Sequence, residues 1–299
     1  MHPIPEKLGR AALDLHGEAG AEWLRRLPDL LADCAARWSL TLGPPFPGLT
    51  YHYVAPAIGP DGSPVVLKAG VPSRGLFAEI AALRHYDGSG AVRLLDADEE
   101  RGVMLLERLE PGTSLVGSAD DAAATRIAAS VMPRLWKPAP EQPAFPTVAD
   151  WGRGFARLRA RFGGGVGPFP PALLAEAETL FRDLTASQAA PILLHGDLHH
   201  GNILSAAREP WLAIDPQGVL GEPAYEVGAF LRNPSPQPAR VLARRLDIFT
   251  DELGLDRARL RGWGLAQAVL SAWWTFEDHG RGWEAAVAVA EALAALPDA

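Results

Sequence analysis

LLHGDLHHGNIL, Leu193 to Leu204, followed at short range by LAIDPQG, Leu212 to Gly218, is the stretch on which the reading of the chain turns. The first segment reads as a strand end, a tight loop and the start of a second strand. The second reads as a strand that delivers Asp215 to its tip. Inside the loop, His195-x-Asp197-x-x-x-x-Asn202 has the spacing of a phosphoryl-transfer loop, with an Asp to orient the attacking hydroxyl and an Asn five positions on to hold a metal ion. Asp215, thirteen residues after Asn202, is the expected second metal ligand. These residue types suit the chemistry. A transferring phosphoryl group carries spread negative charge, so catalysis is mainly positioning and electrostatics. Mg²⁺ takes oxygen ligands, which an Asn carbonyl and an Asp carboxylate supply. A further carboxylate, Asp197, is left to direct or accept the hydroxyl proton. Gly196 and Gly201 allow the tight turn.

Two other readings stay open at this point. His, Asp and Asn are also ordinary turn formers in a Gly-containing loop. His195, Asp197, His199 and His200 together suggest a transition-metal hydrolase, since imidazole suits Zn²⁺ or Fe²⁺. Against the latter, no HExxH helix is present, and on a strand His199 and His200 would point to opposite faces.

HGDLHHGNIL followed by AIDPQGVLGEPAYEVGAFLRNP closely resembles the aminoglycoside and hydroxyurea phosphotransferase family, its streptomycin 6-kinase branch above all. The match is strongest from about Leu193 to Asn233 and extends more weakly from Thr50 over most of the chain. The resemblance implies an α+β, two-lobed, protein-kinase-like fold. It also implies ATP and Mg²⁺, and transfer of the γ-phosphoryl group to a hydroxyl. By motif position Asp197 matches the catalytic Asp, and Asn202 and Asp215 match the metal ligands. Asp215-Pro216-Gln217-Gly218 stands where protein kinases have Asp-Phe-Gly, which removes the Phe switch.

The 299 residues suffice for two lobes with sizeable cores. Hydrophobic content of 48% and charged content of 21% fit a globular chain. A net charge of −8 argues against nucleic acid as partner and favours a cationic small molecule such as an aminoglycoside. The single cysteine, Cys34, excludes an internal disulfide and lies in an apolar stripe that suggests core. The first residues lack an apolar signal core, and no run is long enough for a membrane span, so a cytoplasmic location is expected.

A small nucleotide-binding lobe is expected over residues 1–108, with an antiparallel sheet and a helix. Glu18 to Leu40 has Leu27, Leu31, Cys34 and Trp38 at helical steps. A hairpin follows, with strands near Tyr51–Pro56 and Pro64–Ala69 and a turn at Gly59-Pro60-Asp61-Gly62. No GxGxxG is present, and the resemblance alone places the phosphate loop near Tyr51–Ala55. Lys68 ends an apolar strand run and is expected to reach the α- and β-phosphates, held by Glu79 on the helix Ser73–Tyr86. Strands Ala91–Asp96 and Gly102–Glu107 lead to a hinge, Glu107-Arg108-Leu109, where backbone groups would bond adenine.

The catalytic and substrate-binding lobe is expected over 109–299, mostly helical. Ser118-x-x-Asp121 suggests a capping box opening a helix to about Leu135. A proline-rich loop spans 138–146. Further helices are expected at Asp150–Phe162, Pro171–Ser187, Gln237–Leu253, Ala258–His279 and Gly282–Leu296. Glu222, Glu226, Glu277 and Asp278 are candidates to meet substrate amines or guanidines, with Trp273 and Trp274 to stack on a guanidinium. The residues thus suggest an ATP-dependent kinase of an aminoglycoside such as streptomycin. Alternatives are hydroxyurea or another hydroxylated metabolite as acceptor, a kinase fold used only for binding, and the metal hydrolase.

Overall fold

The computed structural model describes residues 4–140 and 145–297. Four residues of the proline-rich loop, 141–144, lie outside the described residues. The chain divides into two compact units, Met1–Gly112 and Thr113–Ala299.

The first unit is an antiparallel sheet in the order β1-β2-β3-β5-β4. Its strands are β1 (Thr41–Leu42), β2 (Tyr53–Ile58), β3 (Pro64–Ala69), β4 (Leu94–Asp98) and β5 (Val103–Glu107), with helices α1 (Glu6–Arg37) and α2 (Arg74–Tyr86). The β2–β3 hairpin turns where expected. Gly62, at φ 84°, takes the left-handed position and its amide reaches the Gly59 carbonyl. Ser73 caps α2 by accepting the Leu76 amide. The apolar stripe of α1 (Leu27, Leu31, Cys34) packs on Tyr53, Ala55, Leu67, Ala69 and Val103. Burial pushes the Cys34 thiol up and keeps it neutral.

Side chains alternate along a strand, and Leu67 and Ala69 face α1, so Lys68 faces the opposite side. There its Nζ meets Glu79 Oε1 of α2 at 2.5 Å, with Lys68 only 1% exposed. Helix α1 begins earlier than its stripe suggests. Gly17 breaks it at φ 53°, ψ −124°, and the leading segment 6–16 buries only Leu8 and Ala12, too few to show a period. The strand expected from Ala91 starts later, at Leu94.

The second unit is mostly helical. β6 (Pro111–Ser114) leads into it, and the Thr113 amide donates to Ser205 Oγ. Then come α3 (Asp121–Leu135), β7 (Lys137–Pro138), α4 (Val148–Arg161) and α5 (Pro171–Ala186). Strands β8 (Ile192–Leu194), β9 (Ile203–Ala206), β10 (Trp211–Ala213) and β11 (Val219–Gly221) follow. Helices α6 (Pro223–Leu231), α7 (Ala239–Leu253), α8 (Arg257–His279) and α9 (Glu284–Ala294) close the chain. Helix α8 is the centre of the core, packing against α4, α5, α6 and α9.

Three local expectations are corrected. Asp120, not Ser118, caps α3 by accepting the Ala122 and Ala123 amides, while Asp121 turns to Arg244 and Arg245. Helix α4 starts at Val148, because Thr147 and Asp150 form the capping box that a Thr-x-x-Asp spacing encodes. Helix α6 was not expected from the sequence at all. Among the described residues no helix is long and apolar enough to cross a membrane.

Candidate active site

Strands β9 and β10 pair antiparallel, and the loop entering β9 and the tip leaving β10 lie side by side. The Ile214 amide donates to the Asn202 carbonyl at 2.9 Å. The Gln217 amide donates to the His195 carbonyl at 2.8 Å. His195 is fully buried, and its Nε2 donates to the Ile214 carbonyl at 2.8 Å while Nδ1 accepts the Asp197 amide. Burial lowers its pKa to about 4, so the ring is neutral and braces the loop. Gly196, at φ 84°, sits where a Cβ would strike the Trp151 ring at 2.8 Å, so glycine is required both for the turn and for the contact.

Asn202 Nδ2 donates to the Asp197 carbonyl at 3.0 Å, which fixes the amide group and leaves Oδ1 as its acceptor. Asp215 holds a left-handed φ of 59° at the tip after β10, unusual for a residue other than glycine but tolerated by Asp. An amide oxygen and a carboxylate are hard donors, and this set fits Mg²⁺. The Asp197 carboxylate takes the guanidinium of Arg232, Oδ1 to Nη2, at 2.7 Å. Its Oδ2 lies 3.6 Å from His199 Nε2.

The histidines do not form the transition-metal centre left open above. His195 is committed to Ile214 and Asp197, and His199 Nδ1 accepts the Gly201 amide at 3.0 Å. His200 stacks on Phe230 with ring centroids 3.8 Å apart. His199 and His200 lie at the start of a 3₁₀ turn rather than on a strand. Among the described residues no group of three or more His, Cys, Asp or Glu could hold a metal ion.

In the first unit Lys68 and Glu79 pair as expected. At the expected hinge the Glu107 main chain is partly engaged. The Glu107 amide donates to the Arg93 carbonyl at 3.0 Å, and its carboxylate accepts the Arg93 amide at 3.1 Å, so that amide is committed within the sheet. Leu109 is buried.

The substrate candidates fare differently. Glu222 is buried, with both carboxylate oxygens taken by Arg259 Nε and one also by Trp263 Nε1. Glu226 is 1% exposed and accepts the His195 and Gly196 amides at 2.6 and 2.9 Å. Trp273 is 2% exposed and packs on Phe162, Phe169 and Phe276. The carboxylates of Glu222 and Glu226 are thus committed to internal partners, and Trp273 is packed among aromatic rings. Trp274 meets Trp151 edge-on. Glu277 is bidentate with Arg157 at 2.9 Å, and Asp278 is exposed at the end of α8. Arg232 was missed, although it is the only cation in VLGEPAYEVGAFLRNP.

The profile of a family described as aminoglycoside/hydroxyurea antibiotic resistance kinase matches residues 45–280. A streptomycin 6-kinase of Streptomyces glaucescens is 35% identical, over 97% of this chain and 96% of that protein. A hydroxyurea phosphotransferase of Kitasatospora aureofaciens is 38% identical, over 97% of this chain and 85% of that protein. A solved aminoglycoside phosphotransferase in ternary complex with ADP and hygromycin B superposes with a TM-score of 0.62. It shares 15% identity, and the match covers 87% of this chain and 97% of that one, a likeness of fold.

Proposed function

Since the chain belongs to the aminoglycoside/hydroxyurea antibiotic resistance kinase family, we propose that it transfers the γ-phosphoryl group of ATP to a hydroxyl of streptomycin and so inactivates the antibiotic. The observation that carries the site assignment is the loop geometry. Asn202 is pinned through Asp197's own carbonyl, and the Asp197 carboxylate is turned from the loop toward Arg232. Asp197 orients the acceptor hydroxyl and receives its proton. Asn202 and Asp215 would hold Mg²⁺, which would supply charge neutralisation for the transferring phosphoryl group. Lys68, steadied by Glu79, meets phosphate oxygens of the nucleotide. On this assignment the first unit binds nucleotide, and the second carries catalysis and the acceptor. The enzyme works in the cytoplasm, where ATP is at hand.

Streptomycin incubated with ATP and the enzyme should gain one phosphate, detected by mass spectrometry. Asp197→Ala should lower kcat by about 10²–10⁴-fold with ATP affinity nearly intact. Wild-type turnover in that variant would refute the assignment of Asp197. Hydroxyurea is the second acceptor to test, given the identity to a hydroxyurea phosphotransferase. Turnover of hydroxyurea but not streptomycin would transfer the proposal to it.

A further inference from the structure

Helix α6 touches the loop at two points. Glu226, in its first turn, holds the His195 and Gly196 amides. Arg232, at its C-terminal cap, holds the Asp197 carboxylate. The second contact is itself braced. Arg232 Nη1 donates to Gln267 Oε1 of α8 at 3.2 Å, and Gln267, buried, donates from Nε2 to the Tyr225 carbonyl. A line of directional bonds therefore runs from the core helix through a guanidinium to one oxygen of the carboxylate.

The two oxygens of Asp197 are not equivalent. Oδ1 carries the charge-assisted bond to Arg232. Oδ2 faces His199 Nε2 at 3.6 Å, beyond hydrogen-bond length, and among the described residues it makes no hydrogen bond. His199 Nδ1 accepts the Gly201 amide, so a neutral ring carries its hydrogen on Nε2, the edge facing Oδ2.

We propose that Arg232 is a positioning residue for phosphoryl transfer: it occupies Oδ1 of Asp197, fixes the carboxylate plane, and leaves Oδ2 to the acceptor hydroxyl. This rests on Asp197 being the group that meets the acceptor. In the step, the acceptor oxygen bonds to the γ-phosphorus and the bond from that phosphorus to the β–γ bridging oxygen breaks. Its electron pair leaves with ADP, and the hydroxyl proton passes to Oδ2. Without Arg232 the carboxylate rotates among poses, few of which present an oxygen to the hydroxyl in line with the phosphoryl group.

The test is steady-state kinetics with streptomycin, or with hydroxyurea if that is the acceptor turned over, on Arg232→Ala, Arg232→Lys and Asp197→Asn, with ADP binding measured alongside. Arg232→Ala should lower kcat by roughly 30-fold while the KM for ATP stays within about two-fold. Arg232→Lys should recover part of the loss, and added guanidinium ion should partly rescue the Ala variant but not the Lys variant. In an Asp197→Asn background, Arg232→Ala should add nothing. A kcat within about three-fold of wild type for Arg232→Ala, or a rise in the KM for ATP that matches the fall in kcat, would overturn the proposal. Should Arg232→Ala fail to fold, Arg232→Met keeps the packing of the aliphatic stem without the guanidinium, and a kcat within about three-fold of wild type there overturns the proposal equally. Full turnover by Asp197→Asn would instead sink the assignment of Asp197. An inactive Asp197→Asn beside a fully active Arg232→Ala sinks Arg232 alone.

Discussion

Glu226 brings a carboxylate into the core and meets two backbone amides there. The amides favour the ionised form, but burial outweighs them and lifts its pKa to about 7 from 4.5. The folded state thus binds a proton between those values that the unfolded chain has released. The contribution is stabilising at low pH and is lost as pH rises through about 7. Against Glu226→Gln, which stays neutral, wild type should therefore lose relative Tm as pH goes from 5 to 8, bounded by those two pKa values. A Tm difference flat in pH would show that the buried acid does not titrate there. His195 has the opposite sign. Its folded pKa of about 4 lies below the ordinary 6.5, so its contribution is whole above 6.5 and disappears as pH falls through 4. In the sequence Glu226 is one acid among several near the loop and reads as a substrate contact. Only the fold shows that both its oxygens are used internally.

At the scale of the element, α6 and α8 meet at Gly228. A Cβ there would lie 2.5 Å from Gln267 Cδ and 2.6 Å from its Oε1. Gln267 is buried and bonded at both ends of its amide, so it cannot swing aside without breaking the Tyr225 or the Arg232 contact. Gly228→Ala should cost roughly 1–3 kcal/mol of stability by overpacking, read from urea unfolding. It should also lower kcat in the direction of Arg232→Ala, read from steady-state rates. A variant with lost stability but full turnover would uncouple the brace from the chemistry. Helix α6 was illegible because PAYEVGAFL is short and buried on every side, so it has no amphipathic period to detect. Pro223 in its first turn was the one available signal. The loop between β8 and β9 was legible as structure, because short apolar runs bound its Gly-containing turn. The β2–β3 hairpin, α2 and the Lys68–Glu79 pair were legible too, since strand alternation, a Ser cap and a run ending in Lys are local patterns.

Across the whole molecule the net charge of −8 creates a field that acts before contact. A polycationic acceptor is drawn in by such a field, and salt screens it with a Debye length of about 10 Å at 0.1 M. Raising ionic strength from roughly 0.01 to 0.15 M should lower kcat/KM for streptomycin and leave that for uncharged hydroxyurea nearly unchanged, measured as parallel salt series. Equal slopes for the two acceptors would remove any role for long-range attraction. In the first unit Lys68 and Glu79 are both buried, so Lys68→Ala takes the cation from a carboxylate that the sheet and α2 enclose. It should destabilise the protein by about 3–5 kcal/mol as well as raise the KM for ATP. Lys68→Met with Glu79→Leu should recover stability in thermal melts while activity stays lost.

The bonds that join the loop to the β10 tip run mostly through main-chain atoms: Ile214 to Asn202, Gln217 and Gly218 to His195. The atoms that make these bonds are present whatever side chains surround them. Side chains lining an acceptor pocket can therefore vary without breaking the bonds that hold this loop to the strand tip. Related proteins named for streptomycin and for hydroxyurea, compounds with little in common beyond a reactive hydroxyl, are what that division of labour would be expected to produce.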